Sequence, residues 1–222
     1  MLKRIPEPRI RECLDDAAAS PMASPGVRYP RWYVHRWHFL PEGYLSRRSA
    51  VLYDAVIRRI YNVGSETRLH AALVDALFDQ RPERVLELAC GPGNALSAVR
   101  TALPRADLTG IDLSPFLLEL ARDRLAGADV SLVHGNATRL PWTDASFDAV
   151  VAQHFLGHLP RHVRQPAWDA AAGVLRPGGR LYVIDHAWHP RLPRELRNVD
   201  STRLLGGIVR LDIFERPTGG QA

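Results

Sequence analysis

From Arg84 onward the chain alternates short apolar runs with helix-length stretches, and this rhythm restricts the fold more than any other feature. The runs are Val85–Leu88, Leu108–Ile111, Val130–Val133, Ala149–Ala152 and Leu181–Ile184. Each is too short for a helix and mostly apolar, as a strand buried on both faces requires. Ala95–Leu103, Pro115–Leu125 and Val163–Leu175 lie between most of them as helical stretches. Ser114-Pro115 is a helix start, a capping hydroxyl followed by proline in the first turn. Strand–helix alternation with right-handed crossovers predicts an α/β fold with a doubly wound, mostly parallel sheet. The chain then closes with Leu196–Arg203, Gly206-Gly207 and Ile208–Phe214, which read as an antiparallel β-hairpin.

Residues 1–45 follow another pattern. Pro6, Pro8, Pro21, Pro25, Pro30 and Pro41 interrupt any long helix there, so this segment is expected to form an N-terminal arm or helical lid on a domain spanning 46–222. Tyr29–Tyr44 is dense in aromatic and cationic residues, among them Arg31, Trp32, Tyr33, His35, Arg36, Trp37, His38 and Phe39. Such a stretch can cover an acceptor, with arginine forks for a carboxylate or phosphate. Ser46 is placed to cap a helix reaching about Asn62, ended by Gly64. Glu66–Phe78 carries Leu69, Leu73, Ala76 and Leu77 at helical spacing.

The segment with the clearest chemistry is Val85-Leu86-Glu87-Leu88-Ala89-Cys90-Gly91-Pro92-Gly93-Asn94-Ala95. A buried strand runs into a loop of small residues and then into a helix, which lets a backbone approach a ligand closely. Asp112 ends the next apolar run about 20 residues after the glycines, the spacing at which a carboxylate reaches both ribose hydroxyls of a nucleoside.

With these residues the sequence resembles the class I S-adenosylmethionine (SAM)-dependent methyltransferases, from about Tyr53 to Pro217. The family's acidic-x-Gly-x-Gly-x-Gly loop stands here as Glu87-x-Ala89-x-Gly91-x-Gly93, with Ala89 departing from glycine. A dinucleotide fingerprint would need glycine at position 96, where Leu96 stands. His134-Gly135-Asn136-Ala137 falls where the family meets the adenine amino group, Asn136 replacing the usual aspartate. Leu140-Pro141-Trp142, Ser146–Val151 and Leu175–Leu181 resemble the approaches to the fourth and fifth strands. The closing hairpin resembles the ubiquinone/menaquinone C-methyltransferase group. The resemblance implies a Rossmann-like sheet and SAM as cofactor, leaving as S-adenosylhomocysteine (SAH). It places Tyr53, Glu87, Ala89, Gly91, Gly93, Asp112, Leu113, Asn136, Ala137 and Gln153 around it.

The protein's own task is then to align an acceptor and, for oxygen or nitrogen, to take a proton. His154 and His186 follow the ends of the fourth and fifth strands, where relatives commonly carry apolar residues. They are the candidate bases, with His154 preferred. His158 reads as structural. No metal-ligand spacing occurs. Lys3 is the single lysine among 29 basic residues, which excludes lysine-nucleophile chemistry from the body of the chain. Two separated cysteines make no disulfide framework, and no apolar run approaches the ~20 residues of a membrane span. A net charge of +5 comes without a nucleic-acid motif. The expectation is a cytoplasmic enzyme methylating a small molecule of secondary or cofactor metabolism, with arginine available to hold an anionic acceptor. A SAM enzyme of a non-methylating biosynthetic step and a phospholipid N-methyltransferase are the alternatives. Only His186–Glu195, with Pro190 and Pro193, joins the fifth strand to the hairpin, where the family usually has a helix. Apolar surface on that flank is therefore expected to be hidden by the N-terminal arm or by a second subunit in a homodimer.

Overall fold

A computed structural model describes residues 5–37, 40–61, 65–187 and 195–218. Each apolar run is a strand: β1 (Arg84–Leu88), β2 (Asp107–Asp112), β3 (Val130–His134), β4 (Phe147–Gln153) and β5 (Leu175–His186), followed by β6 (Arg197–Leu204) and β7 (Val209–Glu215). They form one sheet in the order β3-β2-β1-β4-β5-β7-β6. β1 to β5 pair in parallel, and β7 runs antiparallel to both β5 and β6. The order reverses between β1 and β4, so their C-terminal ends diverge around a crevice, the usual ligand position in an open α/β sheet.

The high apolar content of the central strands follows from their two-sided burial. Leu86, Leu88, Val150, Ala152, Leu181 and Val183 pack on one side with Val163, Ala167, Trp168 and Ala171 of α7 (Arg161–Val174). Their alternating neighbours Val85, Ala149, Val151, Tyr182 and Ile184 pack on the other side. There they meet Leu69, Leu73 and Leu77 of α4 (Glu66–Phe78), Leu96 and Val99 of α5 (Asn94–Ala102), and Leu118 of α6 (Pro115–Arg124). The period of two along a strand divides the core between these layers.

The N-terminal region carries the helical part of the expected lid, in a place where the prolines read as interruptions. Residues Glu7–Ala18 form a helix, α1. Pro6 stands at its N-cap and Pro8 in its first turn, where a missing N–H costs nothing, so these prolines start a helix instead of preventing one. After it the chain runs through turns to Ser46, whose side chain accepts the Ser49 N–H and caps the next helical stretch. That stretch comprises α2 (Arg47–Leu52), a wide π-turn (Tyr53–Ile57) and α3 (Arg58–Tyr61). Asn62 and Gly64, expected at its end, lie outside the described residues, as do residues 188–194 between β5 and β6. On β6 the side chains of Arg197, Asn198, Asp200, Ser201, Thr202 and Arg203 are exposed. The described part of that edge is polar.

Candidate functional site

The crevice is organised by Asp112 at the end of β2. Its Oδ2 accepts the Gly91 N–H at 2.8 Å and its Oδ1 the Ser114 N–H at 2.7 Å. One buried carboxylate thus ties the loop after β1 to the start of α6. Burial pushes Asp112 up to about 6, with the backbone N–H bonds from Ser114, Gly91 and Leu113 opposing the rise. The loop bends sharply: Ala89, Gly91 and Gly93 have φ of 51°, 54° and 78°. Ala89 therefore adopts a left-handed conformation that an L side chain disfavours by roughly 1–2 kcal/mol.

The two glycines differ in purpose. A Cβ on Gly91 would meet nothing within 4 Å, which leaves open space above the loop. A Cβ on Gly93 would stand 3.1 Å from Ala121 and Leu125, so Gly93 serves the packing of α5 on α6. Of the residues expected to hold the cofactor, Gly93 is the one that lines neither cavity described next.

Two cavities meet over the strand ends. The first is bounded by Glu87, Cys90, Gly91, Pro92, Asn94, Arg58 and Glu66. Glu87 is buried, its Oε2 lacks a partner among the described residues, and burial pushes its carboxyl up to about 8. The second cavity contains Asp112, Leu113, Leu117, Asn136 and Ala137 at one end. A wall of Trp32, Tyr33, Trp37 and Tyr44 faces Phe155, His158 and Leu159 across it. Tyr53, Ala89, Gly91, Gln153 and His154 border both.

Asn136 is less free than its sequence position implies. Its Oδ1 already accepts the Thr138 N–H and hydroxyl, both at 2.9 Å. The amide therefore offers a ligand its NH2 donors, suited to a ring nitrogen of adenine rather than to the amino group.

His154 has φ 49° and is fixed by its N–H donating to Ile184 O at 2.7 Å. Burial pushes its imidazole down to about 4, opposed by the nearby Asp185 carboxylate. It is a neutral base at neutral pH, and its Nε2 is buried without a hydrogen-bond partner among the described residues. His186 is not brought to the cavities. It continues the register of Tyr182 and Ile184, which face the α4 layer, and lies behind His154 with ring centroids 5.4 Å apart. His158, read from sequence as structural, lines the aromatic cavity. Its Nδ1 donates to His154 O at 2.5 Å, so in the neutral ring Nε2 carries the lone pair. The tyrosines are poorer bases: burial holds Tyr33 well above 10 and pushes Tyr53 up to about 12.

The aromatic wall comes from the proline-rich segment, and long-range bonds hold it there. Ser20 Oγ donates to Glu119 Oε1 at 2.7 Å, and Glu119 also pairs with Arg47. The Ser24 N–H donates to His134 Nδ1 at 2.9 Å. Nδ1 accepts, so Nε2 carries the proton, with Leu113 O at 3.1 Å and the Tyr29 hydroxyl at 3.2 Å. Ser114 Oγ donates to Tyr44 O at 2.8 Å. Among the described residues no arginine or lysine lines the aromatic cavity. His38 and Phe39 of the same stretch lie outside the described residues. Sequence reading singled out this stretch by its aromatic density but missed Leu117, Phe155 and Leu159, and it missed Arg58 and Glu66 beside Glu87.

Comparison with known proteins agrees with this architecture. Residues 85–179 match the family described as "Methyltransferase domain". That match covers less than half of the chain, and over this stretch the chain is similar to methyltransferases. Demethylmenaquinone methyltransferase of Thermotoga maritima is 32% identical over 141 residues, covering 64% of this chain and 59% of that protein. The 27-O-demethylrifamycin SV methyltransferase of Amycolatopsis mediterranei is 37% identical over 187 residues, 79% of this chain and 63% of that protein. The chain thus spans about three fifths of the length of these curated relatives. The N-methyltransferase NodS from Bradyrhizobium japonicum, solved with SAH, shares the fold with a TM-score of 0.59 at 19% identity, covering 68% of this chain and 87% of that one.

The site also fits SAM on its own terms. Open space over Gly91, two buried carboxylates, the oxygens Glu87 Oε2 and Gln153 Oε1 that lack a partner among the described residues, and an apolar end at Leu113 and Ala137 match a cationic nucleoside. Among the described residues no cluster of His, Cys, Asp or Glu could hold a metal ion.

Proposed function

We propose that this protein methylates a small, flat, largely apolar acceptor at a hydroxyl or amine. SAM supplies the activated methyl group as a sulfonium. Asp112 would hold the ribose hydroxyls, Glu87 the cationic amino-acid end, and Asn136 with Leu113 and Ala137 the adenine. The observation carrying the proposal is the shared border of the two cavities. Tyr53, Gln153 and His154 separate a carboxylate-bearing compartment from an aromatic one. A cofactor with its amino-acid end in the first cavity and its nucleoside at the Asp112 end of the second would meet, at this border, an acceptor held in the aromatic end.

The aromatic wall favours a planar acceptor by stacking and by excluding water. The anionic acceptor suggested by Arg31 and Arg36 finds neither of them in the cavity lining. His154 serves as general base from this border, and the His158 Nδ1–H fixes the carbonyl of the strained residue that carries it. Calorimetry with SAM and SAH, followed by SAH formation against phenolic and amine acceptors, tests the proposal. Absence of SAM binding overturns it. SAM binding without SAH formation from any acceptor moves the chain to a non-methylating step.

A further inference from the structure

We infer that the outer face of the helical stretch 47–61 docks on an anionic lipid surface. Among the described residues the large exposed apolar side chains are Val51, Val56, Ile60, Phe78 and Ile208, and three of them lie on this stretch. Val51, Val56 and Ile60 are 50%, 44% and 64% exposed. Five regular α-helical steps would carry Val56 about 140° away from Val51. The π-turn at Tyr53–Ile57 takes up the extra residue and brings Val56 and Ile60 back to the outer arc.

Arg48 and Arg59 are exposed on the same stretch, and Arg47 is 64% exposed although paired with Glu119. No exposed position between 47 and 60 is acidic. The acidic residue of the stretch, Asp54, is turned in against Arg58 and Arg124. A cationic apolar face on a helix is the composition that settles at the headgroup boundary of an anionic bilayer. A second copy is a poorer occupant. A two-fold contact through this face would set Arg48 and Arg59 against their own copies with no carboxylate between them. The inner side of the same stretch carries Tyr53, which borders both cavities. Docking would hold the mouth of the site next to the lipid. The inference rests on this surface and not on the reaction proposed above.

The test is co-sedimentation of the full chain with vesicles of phosphatidylcholine alone and with phosphatidylglycerol in equal parts, at low and high salt. Binding is expected to the anionic vesicles only, and to weaken with salt. Arg48→Glu with Arg59→Glu should reduce it roughly tenfold or more. Val51→Ser with Ile60→Ser should also reduce it, with thermal melting unchanged because these side chains are exposed. No binding, or binding indifferent to both double variants, overturns the inference. So does self-association that Val51→Ser with Ile60→Ser abolishes while vesicles are ignored. SAM calorimetry on the same samples keeps the two proposals apart: vesicle binding without SAM binding would retain this one and remove the other.

Discussion

The Nδ1–H of His158 donates to the carbonyl of His154 at 2.5 Å, joining the two imidazoles at the acceptor side through one peptide group. His154 keeps its left-handed backbone because this bond and the one from its own N–H to Ile184 O hold the peptide groups on either side of its Cα. Strain of this kind persists where the surroundings over-determine it, and it aims a side chain.

His154→Ala is therefore expected to lower turnover by about 10²–10⁴-fold, with SAM affinity nearly intact. His186→Ala should cost much less, since that ring lines neither cavity. Rates should fall as pH drops towards about 4, where His154 gains its proton. The same depression acts on stability. Between pH 6.5 and about 4 the unfolded chain binds protons at His154 and His70 that the folded chain refuses. Stability is full above 6.5 and declines as pH falls through that window. A rate profile breaking near 6.5, or wild-type turnover by His154→Ala, would place the base elsewhere.

Asp112→Ala should weaken SAM binding at least about tenfold, since a hydrogen bond to a charged group is worth about 1.5–3 kcal/mol. It also leaves the Gly91 and Ser114 N–H groups without their carboxylate. Asp112→Asn should recover part of the affinity, because one oxygen remains while its NH2 opposes a backbone N–H. Calorimetry giving unchanged affinity for both variants removes Asp112 from the site.

Glu87 predicts a proton signal. With its carboxyl near 8, it is mostly protonated at pH 7 in the free protein. A cationic ligand beside it lowers that value, so SAM binding should release protons. Titration calorimetry in buffers of different ionisation heat measures the release, and Glu87→Gln should abolish it. The sign for stability is the reverse of that for His154. Glu87 favours the folded state below its unfolded value of 4.5, and this is lost as pH rises through about 8.

Ala89→Gly should stabilise the protein. At φ 51° alanine is strained where glycine is not, and the relief exceeds the entropy lost by glycine. A rise of a few degrees in Tm is expected; a fall would show that the Ala89 methyl makes a packing contact worth more than the strain.

Glu119→Ala should loosen the aromatic wall by freeing Ser20 and Arg47. Limited proteolysis within residues 19–45 should accelerate while the sheet stays folded. Equal cleavage rates would mean that His134 and Ser114 hold the segment without it.

The sequence by itself determined the sheet, the glycine loop and Asp112. Each depends on residues near in sequence: apolar period, small residues at a turn, and a carboxylate one strand later. It also showed which residue types were unusual, including His154 and the aromatic run. Tertiary structure decided their assembly. Pro6 and Pro8 read as breakers, and only their position at the helix start turns them into initiators of α1. The aromatic wall depends on contacts that span the fold, with Ser20 and Glu119 separated by 99 positions and Ser24 and His134 by 110. His154 and His186 both stand at strand ends in the sequence. The left-handed turn at His154 lifts one ring into the cavity, while strand register turns the other behind it. Such directions are set by backbone geometry and packing across the sheet, which no local pattern encodes.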